Sequence, residues 1–316
     1  MKHFITIAQT PVEDLRHVFD VGFALRDQRR RGVPHEALLA HKTLAMIFEK
    51  PSLRTRVSFE QAVFELGGRA IVMSSSEVGL GKRESAADVA RVLGGMVHGI
   101  MARVFEHQKL LDLAQYGSVP VVNALSDHSH PCQVLADAMT IMDEFGRDLS
   151  GRTVAFVGDG NNVARSLAAL CEKLGIHFVL ATPPGYELDP GFGARAGEPA
   201  GPGGPGAPGP RPSFTLTRDP AEAVRQADAI YTDTWVSMGQ EAQAAKRKAA
   251  FLPYQVNAAL LAHAPAHAIV LHCLPAYREC EITAEVLEGP RSRVFPQAHN
   301  RLHVQKGLLA VLMGGA

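Results

Sequence analysis

Paired cysteines, an excess of either charge and long apolar runs are all missing from this chain of 316 residues. Its four cysteines, Cys132, Cys171, Cys273 and Cys280, show no C-x-x-C spacing, which argues against a disulfide framework or a zinc ribbon. We therefore expect no metal, no cofactor and the reducing cytoplasm. Lys+Arg and Asp+Glu both total 32, so the formal net charge is zero. A generic binder of nucleic acid or anionic membrane carries a positive excess, so neither is expected as a partner, and any charge-driven function must be local. No segment reaches the roughly 18 to 20 uninterrupted apolar residues of a membrane span; the most apolar window, Ala258–Ala276, is broken by Pro265, Pro275 and three histidines. The opening residues, MKHFITIAQTPVEDLRHVFD, lack the apolar stretch of a secretory leader.

What is present is the 46% hydrophobic, 20% charged balance of a globular protein long enough for two cores. Thr10-Pro11-Val12-Glu13 predicts a helix start, with Thr10 as N-cap, Pro11 in the first turn and Glu13 closing a capping box. Strands are then expected at Leu44–Phe48, Ala70–Met73, Gly99–Val104 and Val119–Asn123, alternating with helices near Ser52–Leu66, Ser85–Met96 and Gln108–Tyr116. A helix over Pro131–Phe145 leads to a second series, with strands Thr153–Val157, Phe178–Ala181, Ala229–Thr232 and Ala268–Leu271. Its helices fall near Val163–Leu174, Ala221–Gln226 and Glu241–Ala250. The pattern predicts an α/β chain of two doubly wound parallel-sheet domains joined by a helix, residues 1–145 and 146–297, with a C-terminal helix (298–316) returning to the first domain. In such sheets ligands collect at the carboxyl ends of the strands. Between the halves of the second series, GEPAGPGGPGAPGPRP (197–212) has 12 Gly or Pro among 16 residues, and reads as a surface excursion.

Several polar clusters follow expected strands. Glu49-Lys50-Pro51-Ser52-Leu53-Arg54-Thr55-Arg56 opens a helix, where free N–H groups, hydroxyls and guanidinium groups would suit a dianionic phosphate; a capped helix with a solvated basic turn fits the same residues. Arg103 ends a strand aimed at the same crevice. His130 and Gln133, at a helix start, could hydrogen-bond a carbonyl or amide and leave the imidazole titrating near neutrality, or serve as a cap. Gly158-Asp159-Gly160-Asn161-Asn162 lacks the rest of a dinucleotide fingerprint; its asparagines suit a carboxylate, or form an ordinary turn. Asp233 and Ser237 can grip an ammonium group. Cys273, at a strand end, fits a nucleophile, a hydrogen-bonding group or an inert thiol.

In order and spacing, FEKPSLRTRVSFE (Phe48–Glu60), HPCQ (His130–Gln133), DTWVSMGQE (Asp233–Glu241), HCLP (His272–Pro275) and HNRLHVQK (His299–Lys306) resemble the aspartate/ornithine carbamoyltransferase family, above all its ornithine-using members. The resemblance runs from about Leu44 to Gly314. It implies transfer of the carbamoyl group of carbamoyl phosphate to the δ-amine of L-ornithine, giving L-citrulline and phosphate, in a homotrimer. By the same resemblance Ser52, the Leu53 backbone, Arg54, Thr55 and Arg103 hold the phosphate, and His130, Gln133, Cys273, Leu274 and Arg301 surround the carbamoyl group. Asn162 and the backbone near Met238 take the α-carboxylate, and Asp233 and Ser237 the α-ammonium. Arg54, His130, Asp233 and Cys273 are implied as the catalytic set, Cys273 positioning or handling a proton and forming no thioester. Arg56 is expected to join Arg54, Arg103 and Arg301 around the dianion.

The pattern departs from the family at Leu53, commonly Thr, and at Gly79, frequently Gln, within a segment (Glu77–Ser85) that aligns with a loop which, in the family, reaches a neighbouring subunit's site. The Gly/Pro-rich stretch replaces a charged helix. A carbamoyltransferase acting on putrescine or another amine is the nearest alternative; aspartate would want extra cations in the second half.

Overall fold

Apolar strands buried on both faces dictate the architecture. The computed structural model describes residues 1–189, 213–236 and 240–316. The chain divides into two units, Met1–Met139 with His299–Ala316, and Thr140–Ala298.

The first unit follows the order α1 (Val12–Arg30), β1 (Thr43–Phe48), α2 (Leu53–Glu65), β2 (Arg69–Ser74), α3 (Ser75–Val78), α4 (Ala86–Gly94), β3 (Gly99–Arg103), α5 (His107–Tyr116), β4 (Val121–Leu125) and α6 (Pro131–Phe145), whose last turns belong to the second unit. Its four strands run parallel in the order β2-β1-β3-β4. Leu44, Ala45, Met46 and Ile47 are all fully buried. A strand without polar alternation suits a parallel sheet covered on both faces, and Ala45 and Ile47 join Ile100, Ala102 and Leu110 in one cluster.

The second unit continues with β5 (Thr153–Val157), α7 (Asn162–Leu174), β6 (His177–Ala181), β7 (Phe214–Thr217), α8 (Pro220–Val224), β8 (Ala229–Thr232), α9 (Ala244–Phe251), α10 (Ala258–Leu261), β9 (Ile269–His272) and α11 (Ala284–Leu287), then the start of α12 (Val294–Leu309). Its sheet is parallel in the order β7-β6-β5-β8-β9. Ala155, Val157, Ile230 and Val270 pack with Trp235 and Phe251. No described helix is long and apolar enough to cross a membrane.

Several boundaries differ from expectation for local reasons. Thr10 is not the cap of α1: its hydroxyl donates to the Thr6 carbonyl at 2.8 Å, and Pro11 occupies the cap with no side-chain bond. β4 begins and ends two residues later than expected, since Pro120 has no N–H for the ladder while Leu125 pairs with Arg103. The short edge strand β7 went unforeseen beside the Gly/Pro-rich stretch. The Glu241–Ala250 helix splits into a 3-10 turn, Glu241–Gln243, and α9. α12 starts four residues early, at Val294. The segment 197–212, and Ser237 and Met238, lie outside the described residues.

In the first unit α12 meets α1 backbone to backbone. A Cβ added at Gly307 would stand 2.4 Å from the Val18 carbonyl oxygen and 2.9 Å from Gly22 Cα. The neighbouring Lys306, fully buried on its side-chain atoms, donates to Glu65 Oε2 at 2.8 Å at the end of α2. Although burial raises the Glu65 carboxyl, hydrogen bonds from Lys306, Gln61 and Arg29 bring it down to about 2. Because α12 carries Arg301 and α2 carries Arg54 and Thr55, this contact fixes the scaffold of a polar cluster in the first unit. Gly307→Ala should cost about 1–3 kcal/mol through overpacking, lowering Tm by several degrees in calorimetry at roughly 2–4 °C per kcal/mol. Gly95→Ala, whose nearest neighbour would lie at 3.8 Å, should leave Tm unchanged.

Candidate active site

The strand ends of the first unit bring one set of polar residues together. Phe48, the last residue of β1, pairs with Arg103 at the end of β3, and the Glu49 N–H donates to the Arg103 carbonyl at 2.8 Å. The chain then turns into α2. Ser52 is its N-cap, with Oγ accepting from the Thr55 N–H at a long 3.4 Å. Leu53 turns its side chain to solvent, Arg54 is half-buried and Thr55 is buried. Arg56 does not join the cluster. It lies on the exposed face of α2, paired with Glu60 one turn on at 3.3 Å.

From the other side, β4 leads through a stapled turn to α6. Asn123 Nδ2 donates to Ser129 Oγ at 2.9 Å and to the Ile5 carbonyl at 2.9 Å, and the Ser126 N–H reaches the Ser129 carbonyl at 2.9 Å. This turn delivers His130 and Gln133, both buried. The Gln133 amide is held at both ends: Nε2 donates to Asp137 Oδ1 at 2.8 Å, and Oε1 accepts from Arg301 Nη1 at 2.7 Å. Arg301 Nη2 also reaches Thr55 Oγ1 at 3.3 Å. With the Gln305 amide oriented to suit its neighbours, its oxygen accepts from Arg301 Nε and Nη2 at 3.1 and 3.0 Å, and its nitrogen donates to Ser58 Oγ at 2.6 Å. Thr55, Gln133 and Arg301 thus form one bonded group spanning α2, α6 and α12.

The electrostatics of that group correct one expectation. Burial, and then the charges of Arg301, Arg103 and Arg54, hold the His130 imidazole well below its usual value near 6.5. The ring is neutral at neutral pH and does not titrate there. Burial likewise pushes the Cys132 thiol up to about 12, and its Sγ donates to the Asn123 carbonyl at 3.3 Å, so this cysteine is inert.

In the second unit the register of β8 and β9 pairs Thr232 with His272, so the next residues, Asp233 and Cys273, emerge side by side. Cys273 Sγ donates to Asp233 Oδ1 at 3.0 Å, the Thr234 N–H to the same oxygen at 2.7 Å, and Asn161 Nδ2 to Oδ2 at 2.8 Å. Leu274 follows in the left-handed region, φ 57°, with its N–H donating to His272 Nδ1 at 2.9 Å.

Asn161 and Asn162 come from the β5–α7 turn. Asn161 caps α7, its Oδ1 accepting from Val163 N–H at 2.9 Å and Ala164 N–H at 3.0 Å; Asn162 is the first helical residue. Glycine is obligatory before them, because a Cβ on Gly160 would lie 2.6 Å from the Glu187–Leu188 backbone. Asp159, raised to about 6 by burial against the pull of Arg247, forms an ion pair with that buried arginine. Arg247 Nε also donates to the Trp235 carbonyl at 2.5 Å, which ties the β5 turn to the segment after β8.

Asp233, His272 and Cys273 bring potential ligand atoms within 4.8 Å of one another. His272 nevertheless spends both ring nitrogens: Nδ1 accepts from Leu274, so Nε2 carries the proton and faces Glu281 Oε1 at 3.1 Å. No imidazole lone pair remains for a cation in this arrangement.

Motif reading missed Asn123, Ser129, Ser58, Gln305 and Arg247, and did not separate the task of Asn161 from that of Asn162. Helical spacing carried a signal for Ser58 and Gln305, which lie three and four residues beyond Thr55 and Arg301.

A family model described as the carbamoyl-P binding domain of aspartate/ornithine carbamoyltransferase matches residues 2–143, and one described as the Asp/Orn binding domain matches residues 150–312. An ornithine carbamoyltransferase of Thermococcus kodakarensis is 49% identical over 303 residues, 96% of this chain and 93% of that protein. One from Bacillus subtilis is 47% identical over 312 residues, 99% of this chain and 94% of that protein. The solved structure of ornithine carbamoyltransferase from Pyrococcus furiosus matches with a TM-score of 0.91 at 45% identity, covering 100% of this chain and 98% of that chain. Two family models covering nearly the whole chain, with relatives this similar along it, place the chain in the aspartate/ornithine carbamoyltransferase family.

Proposed function

We propose that this protein transfers the carbamoyl group of carbamoyl phosphate to the δ-amine of L-ornithine, giving L-citrulline and phosphate. The observation that carries the reading is the bonded group of Thr55, Gln133 and Arg301 beside a neutral, buried His130 with Arg54 and Arg103 close by. The phosphate is received by Ser52, the backbone at Leu53, Arg54, Thr55 and Arg103, where the start of a 13-residue helix adds its own positive end. The carbamoyl oxygen takes hydrogen bonds from His130 and Arg301, and the carbamoyl –NH2 donates to Gln133 Oε1. Donors on the carbonyl oxygen stabilise the charge that grows there as the amine attacks.

In the second unit, Asp233 with Ser237 takes the α-ammonium of ornithine, Asn162 and the backbone at Met238 take its carboxylate, and Cys273 and Leu274 complete the set that the family resemblance assigns. A free δ-amine has a pKa near that of lysine, about 10.4, so roughly one molecule in 10³ to 10⁴ is nucleophilic near pH 7. Burial and nearby cations favour the neutral form. The neutral amine forms the C–N bond, the bond between the carbamoyl carbon and the bridging phosphate oxygen breaks, and the displaced proton leaves on the phosphate as HPO4²⁻. The balance requires neither a cofactor nor a thioester on Cys273. All four cysteines are thiols, which fits a reducing, cytoplasmic setting.

A homotrimer is part of the proposal. Leu53, Val57 and Phe64 expose apolar side chains along one stripe of α2, which Glu60 and Gln61 interrupt, and Ile71 is exposed on the edge strand β2, Phe64 being 72% exposed. Exposed apolar side chains of this size along one helix support the reading of that stripe as an interface.

Formation of citrulline from carbamoyl phosphate and ornithine, measured colorimetrically, tests the main reading; well-folded protein giving no product above background would refute it, and a strong preference for putrescine would overturn the substrate. Arg54→Ala should weaken carbamoyl phosphate binding by roughly tenfold to a hundredfold in calorimetry, and unchanged affinity would refute the phosphate assignment. His130, neutral when folded, must gain a proton on unfolding at low pH. Its contribution to stability is therefore complete above about 6.5 and lost as pH falls from there toward the lower folded value. NMR should show a neutral His130 ring from about pH 6 to 8, and a ring titrating near 6.5 would refute the burial argument. Phe64→Asp should shift the mass measured by light scattering from trimer toward monomer; an unchanged mass would remove this stripe from the interface.

A further inference from the structure

The Asp233 carboxylate is almost fully subscribed before any ligand arrives. An ionised carboxylate offers about four lone-pair positions. Thr234 N–H and Cys273 Sγ occupy two on Oδ1, at 2.7 and 3.0 Å, and Asn161 Nδ2 occupies one on Oδ2, at 2.8 Å. Among the described residues nothing takes the second direction on Oδ2, which is open to an ammonium group. Among the described residues, Asp159, His272 and Cys273 are the titratable groups that face this carboxylate, and Arg247 acts on it through its pair with Asp159.

Thr234 is the chain neighbour of Asp233, and Cys273 arrives through the β8–β9 register. Asn161 comes from a different element, and its amide cannot turn. Its oxygen is held by two backbone N–H groups of α7, at 2.9 and 3.0 Å, which fixes the plane of the amide and therefore the direction of its own N–H. Gly160 presses the preceding turn against the Glu187–Leu188 backbone and donates its N–H to the Tyr186 carbonyl at 2.8 Å, so the cap has little freedom to shift.

We propose that Asn161 is a positioning residue for the amino-acid substrate: locked by capping α7, its amide orients the Asp233 carboxylate and sets the direction from which the α-ammonium is accepted. The proposal rests on the reading of Asp233 as the ammonium acceptor. A cap alone explains the oxygen of Asn161 but not its nitrogen, because Ser and Asp cap helices about as well as Asn without that donor.

Asn161→Ser and Asn161→Asp separate the two tasks. Both keep an acceptor for Val163 and Ala164, so Asn161→Ser should hold its Tm within a few degrees of the parent's, and Asn161→Asp, with a carboxylate facing Asp233, should fold with a lower Tm. Both lose the donor to Asp233, so KM for ornithine should rise about tenfold or more, with KM for carbamoyl phosphate within about twofold. The Asp variant should be worse, because it sets a second carboxylate against Oδ2. Ornithine KM unchanged within twofold in both folded variants would overturn the proposal. If the parent itself makes no citrulline, the transferase reading fails separately, and crystal structures decide the matter of Asn161. An Asp233 side chain that changes orientation in Asn161→Ser upholds the positioning role, and one that stays in place refutes it.

Discussion

Parallel strands all end on the same edge of their sheet, and every feature of this protein's chemistry depends on that constraint. In the first unit the edge collects Arg103 at the end of β3, the Ser52 turn after β1 and His130 after β4. In the second it collects the asparagine turn after β5, Asp233 after β8 and Cys273 after β9. Strand register then decides which side chains touch. Because Thr232 stands opposite His272, Asp233 and Cys273 are neighbours although forty residues separate them in the chain. Strand–helix–strand connections fix the distances, leaving the turns free to carry polar groups.

Concentrating arginine at such an edge has an electrostatic consequence. A chain of zero formal charge holds Arg54, Arg103 and Arg301 near one buried imidazole and so keeps it neutral. A charged His130 would add a fourth cation, whereas the neutral ring supplies one directed donor and adds no repulsion. Arg301 is oriented by the Gln133, Thr55 and Gln305 oxygens. Neutral acceptors fix its geometry and cancel none of its charge. This is the preorganisation that stabilising a developing negative charge requires.

Most of the architecture was legible in the sequence because buried parallel strands read as short apolar runs between turn residues. The runs Thr153–Val157 and Ala229–Thr232 and the helix Pro131–Phe145 match residue for residue. What escaped notice depended on contacts between distant segments. The four-residue β7, exposed on an edge, carries little apolar signal, and Thr10 looked like a cap until its hydroxyl was claimed by Thr6. At the site, motif spacing named residues by type but not by partner. Arg56 sits in the same motif as Arg54, yet two residues of helix turn it toward Glu60 and solvent. Gln305 and Ser58 matter through Arg301: helical spacing hints at them, but their task shows only when α2 and α12 are seen together. The titration expected of His130 failed for a related reason, since burial and three arginines remote in sequence determine it.

The two helix starts also differ in a way that bears on what each can recognise. Ser52 closes on the Thr55 N–H at 3.4 Å, a contact so long that α2 keeps its donors largely available to an anion. Asn161 takes the Val163 and Ala164 N–H groups at 2.9 and 3.0 Å, which commits the corresponding donors of α7. A strand–glycine–helix turn in the second unit therefore resembles a phosphate cradle in outline only, and any carboxylate held beside it must rely on side chains such as Asn162 and on other backbone. The stronger cap has a compensating use, because an amide whose oxygen is fixed has a nitrogen that points in one direction. In the first unit the helix start leaves its N–H groups largely uncommitted; in the second it gives them up, and one side-chain N–H is thereby aimed at a carboxylate.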